Sequence, residues 1–205
     1  MKRWMIAAMI MTVMFVAVVG TSSAAVYTPP YWGNQIGSFT YNGHEVSAYS
    51  NANNDFFYPL HGTYGHQFQC VEYVNRFYSQ ALGFPNMGDP NTGMNVDAKN
   101  YLSTAPSWGL VAYKNGGTTP PQMGDIICSN GNGVNKGHVA IVRQVLPDSI
   151  RVIHQNWANS IGLASENYYN KDANYYPLKM TLSGGKYTVS AFGSGYPVTG
   201  WLHKP

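Results

Sequence analysis

Charge is scarce in this chain. Only 10% of its 205 residues are charged, and two are cysteines. Neither Cys-x-x-Cys nor His-Glu-x-x-His occurs, and the six histidines form no metal-spaced pairs, so no zinc site and no other metal is expected. No glycine-rich phosphate loop is present, and no nucleotide-type cofactor is expected. There is no basic block, and the net charge is +3. Two of those positive charges, Lys2 and Arg3, lie in the first residues. Without them ten basic residues stand against nine acidic ones, which leaves no electrostatic footprint for nucleic acid.

Long apolar runs are also missing, with one exception at the start. Lys2 and Arg3 precede an uncharged apolar run from Trp4 to Val19, and Gly20 to Ala25 then supplies small residues. That order is the pattern of a signal peptide cleaved after Ala24 or Ala25. An uncleaved anchor is the alternative, but the run is short for a spanning helix. The expected organisation is a signal peptide over 1–25 and a single domain over 26–205. The mature chain then has no stable membrane span, is secreted or held in the cell envelope, and acts as a monomer.

What is abundant is Gly (22) and Tyr (16). Turn formers dominate Val26 to Leu60, including Asn42-Gly43 and the run Asn51 to Asp55, with a short strand expected near Val46 to Tyr49. Gln69 to Leu82 reads as an amphipathic helix, because Val71, Val74, Tyr78 and Leu82 recur at spacings of three and four. Gly83 stands where a left-handed cap belongs. A second helix is expected from Met94 to Leu102. Strands follow at Gly124 to Cys128, Gly137 to Val145 and Ile150 to Trp157, the last two forming a hairpin around Pro147-Asp148-Ser149. Further strands are expected at Leu178–Leu182, Lys186–Ala191 and Val198–His203, and a polar Tyr-rich loop over Ser165 to Tyr176. Early helices and late strands give an α+β fold, with the helix that starts at Cys70 packed on an antiparallel sheet.

Cys70 and Cys128 differ in context. Cys128 ends an apolar run and reads as a buried small hydrophobe. Cys70 opens a helix, where unpaired N–H groups and the helix dipole favour a thiolate and an oxyanion. A nucleophilic thiol also needs a base. His138 starts a strand and shares a face with Ala140 and Val142. Behind it, His154 and Asn156 share a face of the next strand. A three-residue hairpin loop favours Asn156 as the neighbour of His138, whereas a wider loop favours His154. Either side chain could fix the imidazole tautomer. Gln69 is a candidate oxyanion donor, and Trp157 with Tyr168, Tyr169, Tyr175 and Tyr176 is a candidate stacking surface for substrate.

Four ordered motifs carry a family likeness. Gly65 to Tyr73, Gly124-Asp125-Ile126-Ile127, Gly137 to Val142 and Gln155-Asn156-Trp157 resemble the successive motifs of CHAP domains, the cysteine, histidine-dependent amidohydrolases/peptidases. Among these the chain is similar to the amidase domain of bifunctional glutathionylspermidine synthetase/amidase. The resemblance implies a papain-like (CHAP/NlpC-P60-like) fold, with Cys70 as nucleophile and His138 as base. One departure stands out: His154 occupies a position where the family usually has an acidic residue. Three readings stay open. The first is an exported cysteine amidase or endopeptidase cutting amide bonds in peptidoglycan, the second a glutathionylspermidine-type amidase, and the third a catalytically impaired wall-binding or structural protein.

Overall fold

In the computed structural model the described residues are 32–51, 61–84, 97–131, 136–157 and 176–205. The signal-peptide residues, Met94 to Val96, and Tyr168, Tyr169 and Tyr175 lie outside them. Two strands, β1 (Gln35–Tyr41) and β2 (His44–Tyr49), form a hairpin whose register runs through Tyr41↔His44. Its two-residue loop is Asn42-Gly43, with φ of 50° and 81°. Both angles are positive, as a type I′ turn demands, and Asn-Gly is the pair that adopts them at least cost. The sequence pattern suggested irregular chain around a single strand here; the turn chemistry decides for a hairpin. A second, minimal pair joins β3 (His61–Gly62) to β4 (Gly65–His66).

Helix α1 (Cys70–Leu82) spans the expected residues, with Gln69 as its N-cap. Gly83 ends it in the left-handed region at φ 59°, and the amide of Phe84 donates to the carbonyl of Tyr78 at 3.0 Å. The second expected helix is broken into three short turns: a 3-10 turn at Ala98–Asn100, α2 (Tyr101–Thr104), and a 3-10 turn at Ala105–Trp108. Ser103 and Ser107 donate their hydroxyls to the carbonyls of Asn100 and Thr104. Such local bonds compete with the helical ladder and shorten it.

The remaining strands are β5 (Val111–Lys114), β6 (Ile126–Ser129), β7 (His138–Val145), β8 (Ser149–Ile153), β9 (Tyr176–Ser183), β10 (Lys186–Val189) and β11 (Val198–His203). They form one antiparallel sheet in the order β10-β9-β8-β7-β6-β11-β5. The segment after β5 bonds to β10, so the two edges of the sheet meet. Gly116 N–H donates to Tyr187, Tyr187 N–H donates to Gly117, and the Asn115 side chain bridges Val189 and Val198. That bridge covers part of the edges that would otherwise template other strands.

Alternation divides the sheet into two apolar faces. Ile126, Cys128, Val139 and Ile141 pack with Tyr73 and Phe77 of α1 and with the β1–β2 hairpin. Ile127, Ala140, Val142, Val152 and Trp201 fill the other side. The two cysteines lie in the helix-side core as thiols, not joined to each other. The order of elements, one long helix against an antiparallel sheet, is the α+β arrangement the sequence pattern implies.

The start of β7 depends on one glycine. Gly137 has φ 79°, and a Cβ there would lie 2.5 Å from the carbonyl oxygen of Ser129 and 2.6 Å from the amide nitrogen of Lys99. Gly137→Ala is expected to cost about 2–4 kcal/mol through backbone strain and overlap. Urea unfolding measures this, and a loss below about 1 kcal/mol contradicts the stated geometry.

Candidate active site

Strand β8 stops at Ile153, earlier than the sequence pattern predicts, and the chain leaves the sheet through a bend at Gln155 and Asn156. The cause is local. Asn156 adopts φ 50°, a left-handed conformation that asparagine tolerates better than most side chains. His154, Gln155 and Asn156 therefore go three separate ways.

His154 keeps the alternation of the strand. Ile150 and Val152 face the second core, and the His154 ring lies beside Tyr176 and Phe192 on that same side. His138 faces this side too, at the first residue of β7, with its ring 4.9 Å from Phe192 and 4.6 Å from Trp157. The pairs Ile141↔Ile153 and Val142↔Val152, continued past the strand end, set Ala140 against position 154 and make His154 the diagonal neighbour of His138. Nε2 of His138 and Nδ1 of His154 are 2.9 Å apart. The favoured partner of His138 on sequence grounds, Asn156, is thus not the one bonded to it. A bulge between Val142 and Gln144 resets the register, and position 156, which that register would set opposite His138, turns out of the sheet after Ile153; no loop-length argument contains either feature.

Both imidazoles are buried, and burial favours their neutral forms. His154 is pushed down to about 3, by desolvation. His138 is held well below 6.5, first by desolvation and then by His154. A neutral pair at 2.9 Å shares one proton between facing nitrogens: one ring donates and the other accepts.

Gln155 points the other way, into the helix. Its Oε1 accepts from the amide of Tyr49 at 2.7 Å and from Arg76 at 2.9 Å. Its Nε2 donates to Glu72 at 2.8 Å and to the carbonyl of Gln69 at 3.2 Å. Arg76 in turn pairs with Glu72 at 2.7 Å and donates to the carbonyl of Ser47 at 2.5 Å. Asn156 sits beside the same helix end: it accepts from Asn51 Nδ2 and donates to Gln69 Oε1.

Cys70 is the first residue of α1 and belongs to the helix-side core. The structure brings His138, His154 and Trp157 together on one side. On the other it brings Gln69, Asn156 and the start of α1 together. The two groups are joined by the continuous tripeptide 154–156 and by the bonds of Gln155 to Gln69 and Glu72. Cys128 is different: it is fully buried, with its thiol pushed up by burial and its Sγ 3.7 Å from the carbonyl of Ile126. Among the described residues no cluster of His, Cys, Asp or Glu could hold a metal ion.

Sequence reasoning missed Asn51, Arg76 and Phe192. Asn51 lies in a stretch whose composition signals only turns, and Phe192 in an irregular segment with no period. Arg76 had a legible signal, because Glu72 and Arg76 are four apart on a helix.

Residues 60–156 match the CHAP domain family. Two curated relatives are bifunctional glutathionylspermidine synthetase/amidase proteins, from Escherichia coli (strain K12) and from Shigella flexneri. Each is 26% identical to this chain over 147 residues, covering 67% of this chain and 22% of the relative. The chain therefore spans about a fifth of the length of the curated relatives it matches. The matched family region holds Gln69, Cys70, His138, His154 and Asn156.

The buried histidines give a signed pH dependence. Unfolded histidine titrates near 6.5, and both folded values lie below that. Between these limits the unfolded chain binds more protons, so stability is present above about pH 6.5 and is lost as pH falls toward 3. Urea unfolding is expected to show a plateau above about pH 7 and a decline between about pH 6.5 and 5. His154→Asn is expected to make that decline shallower. A flat profile from pH 7 to 5 contradicts the burial of the pair.

Proposed function

We propose that this chain, which carries a CHAP-family match over residues 60–156, is a cysteine amide hydrolase of papain-like fold with Cys70 as nucleophile and His138 as base. The observation that carries the reading is the His138–His154 bond. It engages Nε2 of His138, which leaves Nδ1 as the nitrogen to serve the thiol. For Nδ1 to accept a proton, His138 must be the Nε2–H tautomer and donate to Nδ1 of His154. His154 then does, as a neutral acceptor, the orienting work that a carboxylate or amide does elsewhere.

Cys70 Sγ bonds to the amide carbonyl carbon as its proton passes to Nδ1 of His138. The carbonyl oxygen becomes an oxyanion, stabilised by the amide N–H at the start of α1 and by Gln69 Nε2–H. The carbon–nitrogen bond breaks, and the leaving amine takes the proton from His138. Water, deprotonated by the same imidazole, hydrolyses the thioester and restores the thiol. A neutral His154 offsets the charge of the imidazolium less than a carboxylate does, so its main contribution is to tautomer and ring position. Trp157 and Tyr176, which pack beside the imidazoles, are the candidate surface for substrate.

The signal-peptide pattern of residues 1–25 supports an extracytoplasmic substrate, for which peptidoglycan is the economical choice. Among the described residues no helix is long and apolar enough to cross a membrane. The names of the two relatives favour a second reading, an amidase for a glutathionylspermidine-like amide.

Mass spectrometry of peptidoglycan digested by the purified protein tests the first reading. New amine and carboxyl ends are expected with the wild type and not with Cys70→Ala. Release that persists in Cys70→Ala overturns the assigned nucleophile. Release from glutathionylspermidine alone moves the assignment to the second reading. His154→Phe retains the ring contacts without the acceptor and is expected to lower kcat by about 10²-fold or more. An unchanged kcat removes His154 from the mechanism.

A further inference from the structure

We propose that Asn51 is a positioning residue that sets which end of the Gln69 carboxamide faces the reacting carbonyl. The inference rests on the nucleophile assignment above and adds a device to it.

A carboxamide has a donor end and an acceptor end, and a half-turn exchanges them. Three carboxamides stand in a row. Asn51 donates its Nδ2 to Oδ1 of Asn156. Asn156 therefore turns its own Nδ2 to the next member and donates to Oε1 of Gln69 at 2.5 Å. With Oε1 engaged, both hydrogens of Gln69 Nε2 lie at the other end. The donor end of the row thus falls on the residue directly before Cys70.

Two of the links are held by something else, and the first is buried. Asn51 is fully buried. Asn156 is fixed by its left-handed backbone at φ 50°. The carbonyl of Gln69 accepts from Gln155 and from the amide of Tyr73, both at 3.2 Å. Although Gln69 is the N-cap of α1, its side chain makes no capping bond. An N-cap glutamine that does not cap has its carboxamide available for another task. What decides its polarity is the first member of the row.

The proposal predicts a reversal. In Asn51→Asp, assayed at a pH where the carboxyl is ionised, the first member can only accept. Asn156 then turns Nδ2 toward it and offers Oδ1 to Gln69, which must answer with Nε2. Gln69 now presents an oxygen where an oxyanion forms. In Asn51→Ala the row loses its bias without being reversed.

Two probes separate oxyanion stabilisation from thiol reactivity and need no natural substrate. Iodoacetamide alkylates Cys70 without forming an oxyanion, whereas p-nitrophenyl acetate acylates it through one. The acylation rate is expected to fall in the order wild type, Asn51→Ala, Asn51→Asp, with the last down about tenfold or more. Alkylation is expected to stay within about twofold throughout, because the thiol and His138 are untouched. Thermal unfolding confirms that each variant is folded, and Asn51→Ala carries the test if the aspartate variant is not. Parallel loss of both rates makes Asn51 merely structural and overturns the proposal, as does acylation that stays unchanged. A wild type that reacts with neither probe faster than Cys70→Ala sinks the nucleophile itself, a pattern distinct from either.

Discussion

The side chain of Gln155 holds the molecule's two halves in register. It is almost completely buried, and its carboxamide makes four hydrogen bonds: to β2, to the helix N-cap, and to both members of the Glu72–Arg76 pair. A buried ion pair is weak evidence for stability, since desolvating two charges offsets most of their attraction. Here the pair has an additional role. Arg76 and Glu72 lie one turn apart on α1 and can be satisfied in the interior only if Gln155 and the carbonyl of Ser47 arrive at the same place. A slip of the helix along the sheet leaves buried donors and acceptors unpaired, at about 1–3 kcal/mol each. The network therefore fixes position more than it adds stability.

That position is what the chemistry requires. Gln155 stands between His154 and Asn156 in the chain, so fixing it fixes both neighbours. On one side His154 meets His138 among aromatic rings. On the other Asn156 meets Gln69, the residue before Cys70. A helix start, an amide row and an imidazole pair thus share one anchor. The apolar surroundings of the histidines act on the same site in a different way. They hold both rings neutral, which suits a base that must receive a proton at Nδ1 and a partner that must accept one from Nε2.

Much of this was legible in the residues, and the illegible parts have physical causes. Helix α1 and its Gly83 cap follow from a 3.6-residue period and one left-handed position. The strands β6, β7 and β11 follow from β-branched runs between turn formers. The separation of His154 from Gln155 follows from alternation alone. The partner of His138 did not, because it depends on a one-residue bulge in β7 that shifts the pairing and on the end of β8 at Ile153, after which Asn156 turns away from the place opposite His138. The early hairpin was masked by turn-rich composition on both sides of Asn42-Gly43. Asn51 and Phe192 act through tertiary contacts with residues far away in the sequence, and no local pattern marks such contacts.

The central claim is a neutral imidazole pair in which His138 donates from Nε2 and His154 accepts at Nδ1. Side-chain ¹⁵N NMR of the histidines near pH 7 reads protonation and tautomer for each ring directly. The account predicts that both His138 and His154 are neutral Nε2–H tautomers, with the His154 Nδ1 resonance shifted by an accepted hydrogen bond and the pattern persisting well below about pH 6.5. An imidazolium signature on either ring at pH 7, or a neutral His138 protonated on Nδ1, contradicts it.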